Sequence, residues 1–430
     1  MRVMGPRALA HEAATPADIE AMCALLREAL QAGAVGFSTG RSDNHRTARG
    51  QDTPASQASA AELTGIARAF EGLTHGVVQL VSDFDVMRGP EHFDAEFALV
   101  ETLARASGRP LSMTWLQRDP GGEQWKAMRE RVDAAVAQGL PLYLQTAARG
   151  IGVVNGLDTS FQPFMGFPGY KAIAGLPLVQ RAAAMREPAR KATILGQTSE
   201  RLAGDGTPIP PLVDILLARI ELVAARMFAL EGVPNYEPEV TQSFYVRARQ
   251  RGVTALEAIY DHLAQGDGTS LIYFPIFNYN DGNLDVVREM LAHPRALAGL
   301  SDAGAHVGTV CDASFSTFML THWVRDRGHD RLPLETAVHM LSGRNADYLG
   351  LRDRGRISLG RRADLNLIDP ARLALGRPQV QRDLPALGRR LLQRAAGYLA
   401  TWVAGQAVQR DGSITAARPG RLVRAGRPMA

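Results

Sequence analysis

A chain of 430 residues with 46% hydrophobic and 21% charged residues has the make-up of a compact protein, so disorder is not its default. Its length suits one large α/β domain with an appendage, or two or three ordinary domains. The net charge of +4 comes with no basic face interleaved by aromatics, and the two cysteines, Cys23 and Cys311, exclude a disulfide framework and a cysteine-based zinc site.

Thr15 before Pro16, with Asp18 and Glu20 behind, predicts a helix N-terminus, and Gly33 predicts its stop. AVGFSTG follows as a short buried strand, then the polar loop RSDNHRTARGQDTP. Helices are expected at Ala60 to Phe70, Asp94 to Ser107 and Glu123 to Gln138, alternating with the strands GVVQLVSDF, RPLSMTWLQ and LPLYLQTA. Strands this apolar read as buried on both faces, in a parallel sheet covered by helices.

From about residue 150 to 268 the rhythm breaks into Pro-, Gly- and aromatic-rich sequence, which reads as a long insertion able to form a lid. VTALEAIYDHLAQ, LIYFPIFNY, NLDVVREMLAH and RALAGLSDA then read as helix, strand, helix and strand, resuming the parallel pattern. From Arg356 the segments GRISLGRRADLNLIDP, TWVAGQAVQRDG and GRLVRAG read as short antiparallel strands. The expected division is a barrel-like part at 1–355 and a small β part at 356–430.

In parallel α/β folds chemistry gathers at the carboxyl ends of strands. Asp302 and His306 stand at such an end, among small residues that let a substrate approach; Arg41 and His45 follow an earlier strand. Each has a plainer reading: a strand-end Asp often forms a turn, and a single loop His usually just hydrogen-bonds locally. Gln79, Gln117 and Gln145 can satisfy backbone groups, and Asp312 with Ser314 can cap the helix carrying His322 and Trp323. No GxGxxG or GxxxxGK[ST] follows a strand, which leaves phosphate and dinucleotide sites unsupported.

The runs GLSDAGAHVG, DASFSTFMLTHWVRDR and GRISLGRRADLNLID, with the N-terminal EALQAGAVGFSTGRSDNH, resemble the amidohydrolase superfamily, specifically its N-acyl-D-amino-acid deacylase (D-aminoacylase-like) branch. The resemblance implies an incomplete TIM-like (β/α) barrel of α/β class, with the long middle insertion and a small C-terminal β-sandwich part. It also implies a metal-dependent hydrolase of non-peptide carbon–nitrogen bonds, with an N-acyl-D-amino acid as its small-molecule substrate. Asp302 would be the general base and a metal-site residue, while His306, Arg41 and His45 would bind the substrate carboxylate or oxyanion. The implied cofactor is a divalent metal, zinc foremost.

Departures from the family pattern are equally legible. No His-x-His pair occurs, and Ser82 and Trp115 stand near the strand ends where family members place two further metal-binding histidines. Two expectations follow: a truncated form of a longer protein, or an inactive amidohydrolase-like scaffold, with no metal in this chain, that binds a small molecule or a partner. The N-terminal residues have no apolar leader core and no apolar run reaches membrane length, so the expected location is cytoplasmic, with no membrane or nucleic-acid partner. Open strand edges would favour a homo-oligomer.

Overall fold

The computed structural model describes residues 1–42, 45–47, 49–82, 84, 90–118, 123–204, 206–207, 209–301, 304 and 306–426. Its first long helix, Pro16–Ala32, is closed at both ends by local chemistry. Thr15 and Asp18 form a reciprocal capping box, and Gly33, at φ 106°, supplies the left-handed residue that ends the helix. A Cβ at Gly33 would lie 2.6 Å from that of Arg424, whose guanidinium donates to the Ala32 carbonyl at 2.6 Å; Ala425 N–H donates to Gly33 O. GRLVRAG, expected as a strand, is therefore an irregular segment docked on a helix end, and RISLG likewise forms no strand.

Helices Ala60–Ala67, Pro90–Ser107 and Gln124–Ala137 alternate with strands β1 (Gly36–Arg41), β2 (Val77–Ser82), β3 (Leu111–Thr114) and β4 (Leu142–Thr146). Three later strands are β5 (Ile151–Asn155), β6 (Phe228–Ala229) and β7 (Ile272–Phe277); β8 is Ala296–Ala298. The central sheet is parallel with order β1-β2-β3-β4-β8. Leu80, Met113 and Leu144 are fully buried on the side that packs with Phe97, Val100 and Leu103 of the helix Pro90–Ser107.

The opposite face corrects the expectation of strands apolar on both sides. Ser38, Gln79 and Ser112 stand abreast in the register. Ser38 Oγ donates to Gln79 Oε1 at 2.5 Å, Gln145 Nε2 donates to Ser112 Oγ at 3.1 Å, and the Tyr348 hydroxyl donates to Ser112 Oγ at 2.8 Å. Period-2 alternation puts these polar side chains together, as it must in a strand.

Where an incomplete barrel is expected, the described residues form a five-stranded parallel sheet with β1 and β8 at its edges. Those edges differ. The carbonyls of Ala296 and Ala298 accept from Arg344 Nη1 and Asn345 Nδ2, both at 3.1 Å, so side chains satisfy β8 where a further strand would.

LIYFPIFNY does not resume the parallel pattern. Its strand β7 pairs antiparallel with β5 and β6 in a separate three-stranded sheet. Pro275 has no N–H to give, and the register shifts between Ile151 and Gly152. A Cβ at Gly152 would sit 2.1 Å from Phe274 O, so only glycine lets the strands close there. This sheet backs a second core of Phe164, Met185, Ile194, Ile259 and Tyr260, closed by Ile272 and Phe274. The helix Ala255–Leu263, expected as part of the central rhythm, packs into that second core.

After the helices Leu334–Leu341 and Gly343–Tyr348 the chain turns antiparallel, as expected. The strands are β9 (Leu365–Ile368), β10 (Ala374–Leu375), β11 (Gln379–Leu384), β12 (Gly388–Leu392), β13 (Ala395–Ala396), β14 (Tyr398–Val403), β15 (Gln406–Arg410) and β16 (Ser413–Ile414). They form a four-stranded sheet of order β16-β15-β14-β9 and two ribbons, β10 with β13 and β11 with β12. No helix among the described residues is long and apolar enough to cross a membrane.

The fold predicts a sharp contrast in stability. Phe97 is fully buried, with its ring 6.1 Å from Phe93 and 6.3 Å from Phe84. Phe97→Ala should cost about 3–5 kcal/mol in urea unfolding. Ile357→Ala, at a residue 89% exposed, should stay within about 0.5 kcal/mol.

Candidate active site

The carboxyl end of β1 carries Arg41, half-buried. Its Nε donates to Glu96 Oε1 at 2.5 Å, and Nη1 also reaches Ala58 O. Glu96 lies on the helix Pro90–Ser107 and is 7% exposed; Ser82 Oγ, at the end of β2, donates to the same oxygen at 2.9 Å. The carboxylate that Arg41 grips is thus the chain's own, and one buried acid ties together the ends of two strands. Sequence reading passed over Glu96, although a signal existed: it occupies the apolar stripe of its helix, between Phe93 and Phe97.

Trp115, just beyond β3, is fully buried. Its Nε1 donates to Trp125 O at 2.8 Å and its ring meets His293 edge-on at 5.6 Å. Next, Gln117 fastens this strand end to the end of β7. Its N–H donates to Asn278 Oδ1 at 2.7 Å, its carbonyl accepts from Asn278 N at 3.0 Å, and its amide reaches Asp281 and Asn280. Asn278 is buried at φ 63°, a conformation asparagine tolerates better than most residues.

The loop after β8 holds the other sequence candidates. Asp302 lies outside the described residues. His306 is exposed at φ 49°, and its carbonyl accepts from Thr309 N and Val310 N at 2.8 and 2.9 Å. Arg41 and His45, the latter also exposed, follow β1, whereas His306 follows β8. The candidates therefore sit on opposite edges of the open sheet, with β2, β3 and β4 between them.

The small residues of this loop serve packing in at least one place. Gly308 approaches Ser160 so closely that a Cβ would fall 1.8 Å from its hydroxyl, and Gly308 O accepts from Ser160 N. Val307 O accepts from Leu391 N of β12, and Thr309 exchanges two bonds with Val154 of β5.

Beneath the loop lies Arg149, 1% exposed. Its guanidinium donates to Cys311 O at 2.9 Å and to Asp312 Oδ1 and Ser314 Oγ at 3.3 Å, and it stacks 3.6 Å from the Tyr236 ring centre. Burial opposes its charge, but the neighbouring Tyr236 and Asp312 outweigh that and hold its pKa above the ordinary arginine value. Ser314 makes no side-chain cap of the following helix, so the expected Asp312–Ser314 cap pair is instead an anchor for Arg149. Nothing in the sequence singled Arg149 out.

The same aromatic layer continues to a second charged group. Phe318 stacks on His322 at 4.5 Å, and His322 Nε2 lies 2.7 Å from Glu237 Oε2. Arg327, 4% exposed, donates to both oxygens of Glu237 at 3.0 and 3.1 Å and also to Asp285. Burial pushes the Glu237 carboxyl up, but His322, Arg327 and the Leu284 N–H prevail and bring it to about 2.

Among the described residues no three His, Cys, Asp or Glu side chains gather closely enough to share a metal ion. At the two strand ends where ligands are expected, Ser82 and Trp115 are committed to Glu96 and Trp125. The described residues therefore do not fit a metal centre.

These strand-end loops on a parallel sheet define a protein of α/β class whose fold is shared with solved D-aminoacylases. A D-aminoacylase studied for its binuclear metal centre superposes with a TM-score of 0.53 over 96% of this chain and 68% of its own, at 23% identity. An N-acyl-D-glutamate deacylase from Bordetella bronchiseptica, solved with zinc and a phosphonate inhibitor, gives 0.52 over the same shares at 21% identity. Residues 224–409 match the model of the Amidohydrolase family. An uncharacterized protein of Mycobacterium tuberculosis is 31% identical over 206 residues, 44% of this chain and 33% of its own length. A D-aminoacylase of Alcaligenes xylosoxydans xylosoxydans is 33% identical over 139 residues, 32% of this chain and 26% of its own. The chain is thus similar to the amidohydrolase family over residues 224–409, less than half of its length, and its matches span a third or less of the length of these curated relatives.

A pH test follows from Glu237. Its folded pKa, about 2, lies below the ordinary glutamate value of 4.5, so it stabilises the fold fully above that value and loses the contribution as pH falls toward about 2. The stability gap between wild type and Glu237→Gln, read from urea unfolding, should be constant near neutrality and shrink below about pH 4.5. A gap that does not move with pH would contradict the assignment.

Proposed function

We propose that this chain is an amidohydrolase-type hydrolase of non-peptide carbon–nitrogen bonds, with an N-acyl-D-amino acid as its substrate. The observation that carries this reading is the family match over residues 224–409, joined by relatives named D-aminoacylase and N-acyl-D-aspartate deacylase. In the proposed reaction Asp302 accepts a proton from the attacking water and returns it to the leaving amine. His306 binds the developing oxyanion or the substrate carboxylate, with Arg41 and His45 as further carboxylate ligands. Arg41 can serve a substrate only by sharing its guanidinium with Glu96, since stripping a buried carboxylate of its partner costs about 3–5 kcal/mol.

The relatives' metal centres make a divalent metal, zinc foremost, part of the proposal at the level of the family. The described residues offer no ligand set for it.

One observation favours a second reading, an amidohydrolase-like scaffold that binds a small molecule without turning it over. Ser82 and Trp115 are built into the packing at the strand ends where ligands are expected. One experiment separates the two readings: metal content by mass spectrometry, together with hydrolysis of N-acetyl-D-amino acids by wild type and Asp302→Ala. The hydrolase reading expects bound metal and a fall in kcat/KM of about 10²–10⁴-fold on substitution. Substoichiometric metal with no turnover establishes the scaffold, and turnover indifferent to Asp302→Ala removes that residue as the base.

A further inference from the structure

The helix Phe244–Arg251 carries three arginines, Arg247, Arg249 and Arg251, and no acid. Arg249 and Arg251 lie in its last turn, where the carbonyl end of a helix favours cations. Arg251 is also answered by Asp261, an acid it shares with Lys191. Arg247 has neither support. It sits in the first turn, where the helix dipole opposes a cation, and four residues before Arg251 on the same face, where like charges repel. Among the described residues no carboxylate pairs with it; its guanidinium lies 5.6 Å from the ring centre of Phe244, within the range of cation–π attraction.

Beyond the left-handed Gly252 the chain turns back into the helix Ala255–Leu263, and the two helices enclose a cavity of about 220 Å³. Phe244, Arg247 and Arg251, spaced three and four apart, line one side with Gln250, and His262 and Gln265 line the other. No acid lines it. Phe244 and His262 are buried, 1% and 4% exposed, whereas Gln250, Arg251 and Gln265 are exposed. The His262 ring is fixed, its Nε2 3.0 Å from Leu271 O and its edge 5.1 Å from Phe244 between ring centres. Burial, joined by the charges of Arg247 and Arg377, holds its pKa below the ordinary histidine value against the pull of Leu271 O and Glu231. Every lining residue falls within 244–265, and both helices pack into the second core, so the cavity is a local property of one helix pair.

An anion with several acceptor oxygens completes such a site. Two guanidinium groups can each give planar, charge-assisted hydrogen bonds to one phosphoryl group, and a negative charge between them relieves the repulsion of Arg247 and Arg251. The cavity exceeds the ~30 Å³ that a water occupies in the liquid and falls short of the ~300–1,000 Å³ of sites for drug-sized ligands. We propose that the cavity between the helices Phe244–Arg251 and Ala255–Leu263 binds a phosphoryl dianion, free or as a small monoester, through Arg247 and Arg251. Side chains build this site rather than a glycine-rich loop, so no phosphate-binding motif marks it in the sequence. It uses no residue of the candidate active site and stands independently of the proposed activity.

Isothermal titration calorimetry of the full chain at constant ionic strength tests it, with inorganic phosphate, glycerol phosphate and acetate as ligands. Wild type should bind one phosphoryl anion per chain, saturably, and acetate about tenfold more weakly or not at all. Arg247→Ala should weaken phosphoryl binding about tenfold or more, and Arg247→Lys, which keeps the charge but not the planar fork, by less. Arg249→Ala, on the same helix but outside the cavity, should leave it unchanged, and circular dichroism checks the fold of each variant. Tighter binding of glycerol phosphate than of phosphate assigns the site to monoesters, and the reverse order to the free anion. Absence of saturable binding, acetate bound as tightly as phosphate, indifference to Arg247→Ala, or an equal loss with Arg249→Ala overturns the proposal.

Discussion

The fold around the candidate site depends on the buried Arg149 guanidinium. It is the point at which four pieces of chain meet: the segment between β4 and β5, the loop that follows β8, the Tyr236 region and the helix beginning at Phe315. An isolated charge at that depth would be strongly unfavourable. Here it is matched by Asp312, by a carbonyl and a hydroxyl, and by the π faces of Tyr236 and Phe315 at 3.6 and 4.8 Å. Such a centre adds less net stability than its attractions suggest, because desolvation opposes them. What it contributes is uniqueness of arrangement, since few other packings would bring these partners to one guanidinium.

From that centre the architecture can be followed outward through two layers. Phe318 links Arg149 to the stacked His322 and so to Glu237, Arg327 and Asp285. In the other direction the backbone of Val307, Gly308 and Thr309 is sewn to β12, Ser160 and β5. The loop carrying His306 therefore rests on a rigid base, as loops bearing chemistry commonly do. At the far edge of the sheet, Arg41, Ser82 and Glu96 form a separate buried anchor.

The parallel sheet itself is asymmetric in chemistry. One face is sealed by helices, and the other presents the pair Ser38 and Gln79 and, beside it, Ser112 bonded to Gln145 and Tyr348. One edge is satisfied by Arg344 and Asn345.

Local chemistry was readable in the sequence where it acts over a few residues. The Thr15–Asp18 cap, the Gly33 stop, the alternation of strands β1 to β4 with helices and the antiparallel character beyond residue 356 all follow from patterns of short range. Tertiary structure alone decided the rest. The antiparallel pairing of β7, the docking of Arg424 on a helix end, the partnership of Arg41 with Glu96 and the burial of Arg149 join residues 43 to 392 positions apart. The physical reason is that propensity and capping are properties of neighbours in the chain, whereas the partner of a buried charge or a strand edge is selected only when distant segments exclude water together.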